Sequence, residues 1–194
     1  MTTLNPTLTP RVLADTVAGT RVRDAILVVA GASLVGLAAQ VAVPLPFTPV
    51  PLTMQTFAVL LVGAGLGWQR ALPSMLLYLG VGSLGMPWFA EGESGFGGAS
   101  FGYVIGFVLA VTVVGRLAQA RADRRPLTTF ATMVLGSALI YTVGVPWLAV
   151  SLDVGLGKAI SLGLVPFLFG DLIKAVAAGA LLPGAWALVN RGNR

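Results

Sequence analysis

The C-terminal stretch Pro166–Val189, PFLFGDLIKAVAAGALLPGAWALV, decides the fold, because it is apolar and long enough to cross a bilayer. Its charged residues are Asp171 and Lys174. A charged side chain at the centre of a membrane helix costs about 2.5–3.5 kcal/mol on insertion scales, so such residues face a protein interior or a watery cavity. The i,i+3 spacing places both on one helix face. We therefore predict that this face lines a ligand cavity.

The composition of the whole chain is that of a membrane protein. Of 194 residues, 56% are hydrophobic and only 10% are charged, and the mean hydropathy is +0.90. A soluble domain of this size needs more charge to cover its surface. The chain has no cysteine and no histidine, which removes thiol nucleophiles, imidazole bases and the usual zinc or haem ligands. We expect neither a catalytic site nor a metal or cofactor, and hence no enzyme.

Charged residues divide the chain into long neutral windows, each of which can hold membrane spans of about 20 residues. A proline cluster splits the first window, 25–69, into two helices. The predicted spans are about 25–43, 52–69, 71–89, 97–116, 127–149 and 164–189, and the last one has room for an irregular turn at Gly163–Pro166. The expected fold is an all-α, six-helix transmembrane bundle over 24–190, between a cytoplasmic segment 1–23 and a tail 191–194.

The basic residues orient this bundle. Ten of the twelve fall in segments that six spans place on one side: Arg11, Arg21, Arg23, Arg70, Arg116, Arg121, Arg124, Arg125, Arg191 and Arg194. The opposite loops carry Glu91, Glu93, Asp153 and Lys158. By the positive-inside rule both termini are cytoplasmic. We assign the basic clusters to topology and lipid headgroups, not to nucleic acid, because no basic run is interleaved with stacking aromatics.

Two predicted outer loops could shape a cavity. The first, 43–56, has four prolines in eight residues, which forbid helix and favour a stiff, extended connection. It is either a lid over the cavity or a plain helix breaker. Just after it, Gln55 offers a neutral hydrogen-bonding group at membrane depth. The second loop, 89–103, is rich in glycine, and Tyr103 at its end could turn its hydroxyl into the bundle.

Small residues recur at four-residue spacing in the first span. They form the pairs Ala32 and Gly36, and Ala38 and Ala42. Such faces let another helix approach closely in lipid. The spacing fits internal packing, or an external partner helix.

Four stretches together resemble one family. They are Thr48-Pro49-Val50-Pro51-Leu52-Thr53-Met54-Gln55-Thr56, Tyr78-Leu79-Gly80-Val81-Gly82-Ser83-Leu84-Gly85-Met86-Pro87-Trp88-Phe89, Gly102-Tyr103-Val104-Ile105-Gly106-Phe107 and Pro166-Phe167-Leu168-Phe169-Gly170-Asp171-Leu172-Ile173-Lys174. In order and spacing they are similar to BioY, the biotin-binding S component of energy-coupling-factor (ECF) ABC transporters. The family usually reads Gly-Pro-Thr-x-Gly-Tyr before the fourth helix, whereas Gly98–Tyr103 here lacks the proline.

The resemblance implies a membrane subunit that binds biotin, with the first outer loop as lid. Its implied partners are a transmembrane coupling protein and two ABC-type ATPases, in a bacterial or archaeal plasma membrane. Asp171 and Lys174 match the family's ligand-contacting pair, and Gln55, Tyr78 and Tyr103 lie in motif stretches beside the pocket. Lys174 would then pair with biotin's carboxylate and Asp171 would accept from its ureido N–H groups. Gln55 could serve either side of the ureido ring, and the rings of Phe47, Trp88 and Tyr103 could pack on the bicycle.

Other functions stay open on the residues alone. The same scaffold could carry a different vitamin, such as thiamine or riboflavin. The chain could also be a solitary secondary transporter driven by protons, with Asp171 as the carrier. Against this, six spans show no obvious inverted repeat. The chain has no Walker motif, so any dependence on ATP must come from other subunits.

Overall fold

The computed structural model describes residues 12–16 and 20–192, and it is largely helical. Its elements are α1 (Arg21–Gln40), β1 (Ala42–Val43), β2 (Leu52–Thr53), α2 (Gln55–Leu66), α3 (Trp68–Ser83), α4 (Phe101–Gln119), α5 (Pro126–Ser151), α6 (Leu156–Gly163) and α7 (Leu168–Gly192). Short 3₁₀ turns cover Leu13–Thr16, Ala90–Gly92 and Val165–Phe167. The fold class is thus helical, as predicted.

Within the described residues, four helical stretches are long and apolar enough to cross a membrane: α1, α4, α5 and the combined stretch Leu156–Arg191. The predicted second and third spans are shorter than expected. With 12 and 16 residues, α2 and α3 extend only about 18 and 24 Å at 1.5 Å per residue. The cause for α2 is local, since Leu52–Thr53 is a strand and Gly67, with φ of 73°, ends the helix. The count of six spans and the cytoplasmic termini stay predictions.

The predicted last span, 164–189, begins with a 3₁₀ turn, and the long helix α7 follows it. The turn expected at Gly163–Pro166 is present, because α6 ends at Gly163 and the 3₁₀ turn Val165–Phe167 precedes α7. Helix α6 itself was not predicted. It follows Gly155 in a segment that the charges Asp153 and Lys158 made look like a loop.

The helices run up and down between two ends of the bundle. We call the end that holds Arg70 the basic end, and the end that holds the proline-rich connection 41–54 the strap end. At the basic end, the Arg70 guanidinium lies 2.9 Å from a carboxylate oxygen of Asp15 and 2.9 Å from one of Asp24. There the start of α3 meets the start of α1. At the strap end, the Trp147 indole donates to the Gly98 carbonyl across 3.0 Å, so α5 holds the loop before α4.

Small residues let the helices pack closely. Between α4 and α5, a Cβ built on Gly106 would lie 2.8 Å from the carbonyl oxygen of Ile140, closer than real side chains approach. In α1, Ala32 is fully buried and Gly36 lies against the Trp88 ring. Of the two roles open for this pair, the structure shows internal packing.

The proline-rich connection, residues 41–54, forms a strap across the bundle. Its two ends pair as antiparallel strands, with Ala42 opposite Thr53 and Val43 opposite Leu52. The Thr48 hydroxyl donates to the Leu162 carbonyl in α6 across 2.8 Å. Val50, two residues further on, is 7% exposed and lines the cavity beneath the strap. Held at both ends and in the middle, the strap has the position expected of a lid.

Candidate functional site

A cavity lies under the strap, between α2, α4, α5 and α7. The space free of atoms here, counted together with open solvent at the mouth, is about 520 Å³. The lining residues come from the strap, the loop before α4 and the four helices: Val50, Pro51, Leu52, Thr53, Gln55, Thr56, Ala90, Ser100, Tyr103, Val104, Phe107, Tyr141, Phe167, Asp171 and Lys174. The walls are mainly apolar, with a few polar groups converging on the floor.

Asp171 and Lys174 both face this cavity from the first turns of α7. The side chains are 10% and 13% exposed, and the Lys174 ammonium lies 3.4 Å from one Asp171 oxygen. The other Asp171 oxygen accepts a hydrogen bond from the Tyr141 hydroxyl of α5. The i,i+3 spacing therefore does place the two charges together on an inward face, as predicted.

Lys174 also ties α7 to the end of the strap. Its ammonium donates to the Thr53 carbonyl and to the Thr56 hydroxyl, both across 2.8 Å. An ammonium has three protons, and with Asp171 as the third partner all of them are used. The pair therefore joins strap, α2 and α7 at the floor of the cavity.

Gln55 faces the cavity with its amide held from behind. Its Nε2 donates to the Tyr78 hydroxyl across 2.6 Å. That hydroxyl lies 3.0 Å from the carbonyl oxygen of Trp88. The one phenolic proton goes to this carbonyl, so the hydroxyl can only accept from Gln55. This contact uses one of the two amide protons of Gln55 and turns Nε2 toward Tyr78, so the carbonyl oxygen, Oε1, is the acceptor that Gln55 can offer to the cavity.

Tyr103 contributes a ring and not a free hydroxyl. Its hydroxyl donates to the Gly163 carbonyl across 2.7 Å and is buried. The ring stands edge-on to that of Tyr141, with centroids 6.2 Å apart. Tyr103 thus fixes the corner between α6 and α7 while its ring walls the cavity.

Four of the five site residues predicted from sequence line the cavity: Asp171, Lys174, Gln55 and Tyr103. Tyr78 does not line it and lies behind Gln55, fully buried. The rings of Phe47 and Trp88 also lie elsewhere, since Phe47 is 60% exposed and the Trp88 indole packs on Tyr78. The cavity aromatics, besides Tyr103, are Phe107, Tyr141 and Phe167.

Tyr141 is the functional candidate that sequence reasoning missed. It sits in the middle of the fifth predicted span, where a hydroxyl needs a partner, and this could have marked it. The Tyr141–Asp171 bond also separates the cavity from a second, lateral groove. That groove is almost wholly apolar and lies between α5, α6 and α7.

Comparison with known proteins agrees with this architecture. The sequence profile of the BioY family matches residues 9–191. A probable biotin transporter BioY from Pyrococcus horikoshii is 36% identical over 161 residues, which cover 81% of this chain and 93% of that protein. The biotin transporter BioY2 from Lactococcus lactis subsp. cremoris is 32% identical, covering 81% of this chain and 86% of the relative.

A solved structure shares the fold. It is the crystal structure of the S-component for biotin from an ECF-type ABC transporter, with a TM-score of 0.77. It covers 88% of this chain and 95% of its own chain at 22% identity. Apolar helices and transporter relatives together indicate a membrane protein. From the profile match over nearly its whole length, this chain belongs to the BioY family.

Proposed function

We propose that this chain is the biotin-binding membrane subunit of an ECF transporter and takes part in biotin uptake. One observation carries the proposal. A closed floor of Asp171, Lys174 and Gln55 lies beneath a fixed strap, in a chain whose relatives are named biotin transporters. On this account the protein is a transport subunit and not an enzyme.

The polar groups of the cavity match the ureido ring of biotin. This ring carries two N–H donors and one carbonyl. The Asp171 carboxylate and the Oε1 atom of Gln55 are acceptors on the floor of the cavity, and each can take one N–H group. The hydrogen bond to the Asp171 carboxylate is charge-assisted, and bonds of this type contribute roughly 1.5–3 kcal/mol each. In this assignment Lys174 holds the Asp171 carboxylate in place across 3.4 Å, and Tyr78 orients Gln55.

The apolar part of biotin fits the upper walls. The sulfur-containing ring and the alkyl chain need an apolar surface, and the aromatic rings of Phe107, Phe167 and Tyr103 provide it. Burial of apolar surface contributes about 25 cal/mol per Å². Together with the polar floor, this supports tight binding of a small, mostly uncharged bicycle.

Any energy that uptake draws from ATP must come from partners, because the sequence has no Walker motif. We infer a transmembrane coupling protein and two ABC-type ATPases as those partners. We also infer six spans, with the basic end and both termini in the cytoplasm, in the plasma membrane of a bacterium or archaeon. The strap end would then face outward, where the vitamin is captured.

Calorimetric titration of the purified protein tests the proposal. Biotin should bind with nanomolar affinity, near −12 kcal/mol, and thiamine and riboflavin should give no heat at the same concentrations. Binding of another vitamin but not biotin would assign the scaffold to that ligand. Uptake into proteoliposomes with a proton gradient but without ATPases would instead favour the solitary transporter.

A further inference from the structure

The cavity carries no surplus positive charge. Among its described lining residues, Asp171 and Lys174 are the charged ones, and they neutralise each other across 3.4 Å. The described arginines belong to segments at the basic end, such as Arg70 at the start of α3 and Arg116 near the end of α4. An anionic group that enters the cavity therefore finds no unmatched cation among these residues.

Lys174 is poorly placed to serve a ligand carboxylate. Its three protons already go to the Thr53 carbonyl, the Thr56 hydroxyl and Asp171. A ligand carboxylate at Lys174 would have to displace one of these acceptors and would lie beside the Asp171 carboxylate. Two like charges so close repel each other strongly in a site with little water.

The mouth of the cavity does not favour an anion either. Ser100 lines the cavity next to the opening, and its hydroxyl lies 3.3 Å from a carboxylate oxygen of Glu93. Both Glu91 and Glu93 are exposed on this loop. A carboxylate here keeps its water but gains no partner, whereas a carboxylate drawn deeper would lose its hydration at high cost.

From this geometry we infer that the site recognises the neutral ring system and leaves the acid tail hydrated at the mouth. The inference rests on the proposed function and widens its substrate class. Neutral tail derivatives of biotin, such as its primary amide, and amide conjugates with an amino acid should enter the same site. The tail's negative charge contributes little to their affinity.

Titration of the full chain in lipid nanodiscs with three ligands tests this inference. The ligands are biotin, biotinamide and biocytin, in which the carboxyl group of biotin forms an amide with the side chain of lysine. We expect biotinamide to bind less than tenfold weaker than biotin, and biocytin to compete for the same site. A charge-assisted contact to the carboxylate would make biotin at least roughly tenfold tighter than its amide, so a loss of tenfold or more overturns the inference. If biotin itself does not bind, the proposed function fails, which is a separate result.

A substitution at Lys174 gives a second test. It compares the factors by which the affinities for biotin and biotinamide change, so it does not depend on how tightly either ligand binds. Lys174→Met removes the cation, and biotin and biotinamide should then weaken by the same factor, to within threefold. A threefold or larger additional loss for biotin alone would mean that Lys174 pairs with the tail, and would overturn the inference. If Lys174→Met does not fold, the wild-type comparison of biotin with its amide decides the question by itself.

Discussion

The Nε2 atom of Gln55 donates a hydrogen bond to the hydroxyl of Tyr78 across 2.6 Å. This contact decides which end of the amide faces the cavity, because the Tyr78 proton goes to the Trp88 carbonyl. Gln55 is thus an acceptor at the site and Tyr78 a positioning residue behind it. The contact lies 23 positions apart in sequence and joins α2 to α3.

Tyr78→Phe should weaken biotin binding about five- to tenfold, since it removes the hydrogen bond that holds the Gln55 amide, worth about 1 kcal/mol, and frees the amide to turn. Titration calorimetry measures this loss. In a Gln55→Ala background the same change should have almost no effect, because Tyr78 acts through Gln55. Additive losses in the double variant would mean that Tyr78 contacts the ligand or only stabilises the fold.

Lys174→Ala should abolish high-affinity binding, with a loss of more than about 100-fold, while the protein remains monodisperse. The reason is that Asp171 loses its counter-charge and the strap loses its anchor at Thr53. Lys158→Ala is a matched control, since Lys158 is exposed on α6, and it should bind like the wild type. Unchanged affinity in Lys174→Ala would remove the charged pair from the site.

Thr48→Val should speed biotin dissociation several-fold. The change deletes the bond from Thr48 to the Leu162 carbonyl, which is the described side-chain tie between the middle of the strap and α6. A loss of about 1 kcal/mol of lid stability corresponds to a roughly fivefold rate change. Stopped-flow displacement with excess ligand measures it.

Thr112→Val provides the comparison for the strap variant, because the Thr112 hydroxyl bonds only within its own helix, to Val108. It should leave the dissociation rate unchanged. Equal rates in the two variants would show that the strap does not retain the ligand.

Asp123 should make stability depend on pH at the basic end. It is 1% exposed in the loop between α4 and α5 and accepts from the Trp186 indole across 2.6 Å. Burial raises the pKa of this carboxyl, and the Trp186 hydrogen bond and the Arg124 charge oppose the rise. The folded state then holds this proton more tightly than the unfolded chain. Stability should therefore fall as the pH rises from about 4, the unfolded value, through the raised pKa.

Melting temperatures of the wild type and Asp123→Asn across this pH range test the effect. The wild type should lose stability relative to the variant as the pH rises. Asp153→Asn, which changes an exposed carboxylate, should run parallel to the wild type. Parallel curves for Asp123→Asn as well would contradict the assignment.

Much of the site could be predicted from the sequence because charge in an apolar span is costly. That cost singled out Asp171 and Lys174, and a polar amide at membrane depth singled out Gln55. The proline cluster likewise excluded helix from the strap. Each of these predictions rests on residues that are costly where they stand, a charge or an amide in an apolar span or a proline in a helix, and a single stretch of sequence is enough to show them.

What the sequence could not reveal depends on contacts between distant segments. Tyr78 and Tyr103 share a residue type and lie in similar motif stretches, yet one stands behind Gln55 and the other walls the cavity. Only the packing of α3 and α4 separates these roles. Likewise, α6 is short and next to charged residues, so hydropathy gave no helix there, although α5 and the 3₁₀ turn support it once folded.

An experimental structure with biotin bound would show directly whether the ureido ring meets Asp171 and Gln55. We expect the ureido ring on the floor of the cavity beneath the strap. One N–H should lie within hydrogen-bonding distance, about 2.7–3.2 Å, of the Asp171 carboxylate, and the other should lie equally close to Oε1 of Gln55. Biotin seated in the lateral groove between α5 and α7, or with its ring away from both acceptors, would contradict this expectation.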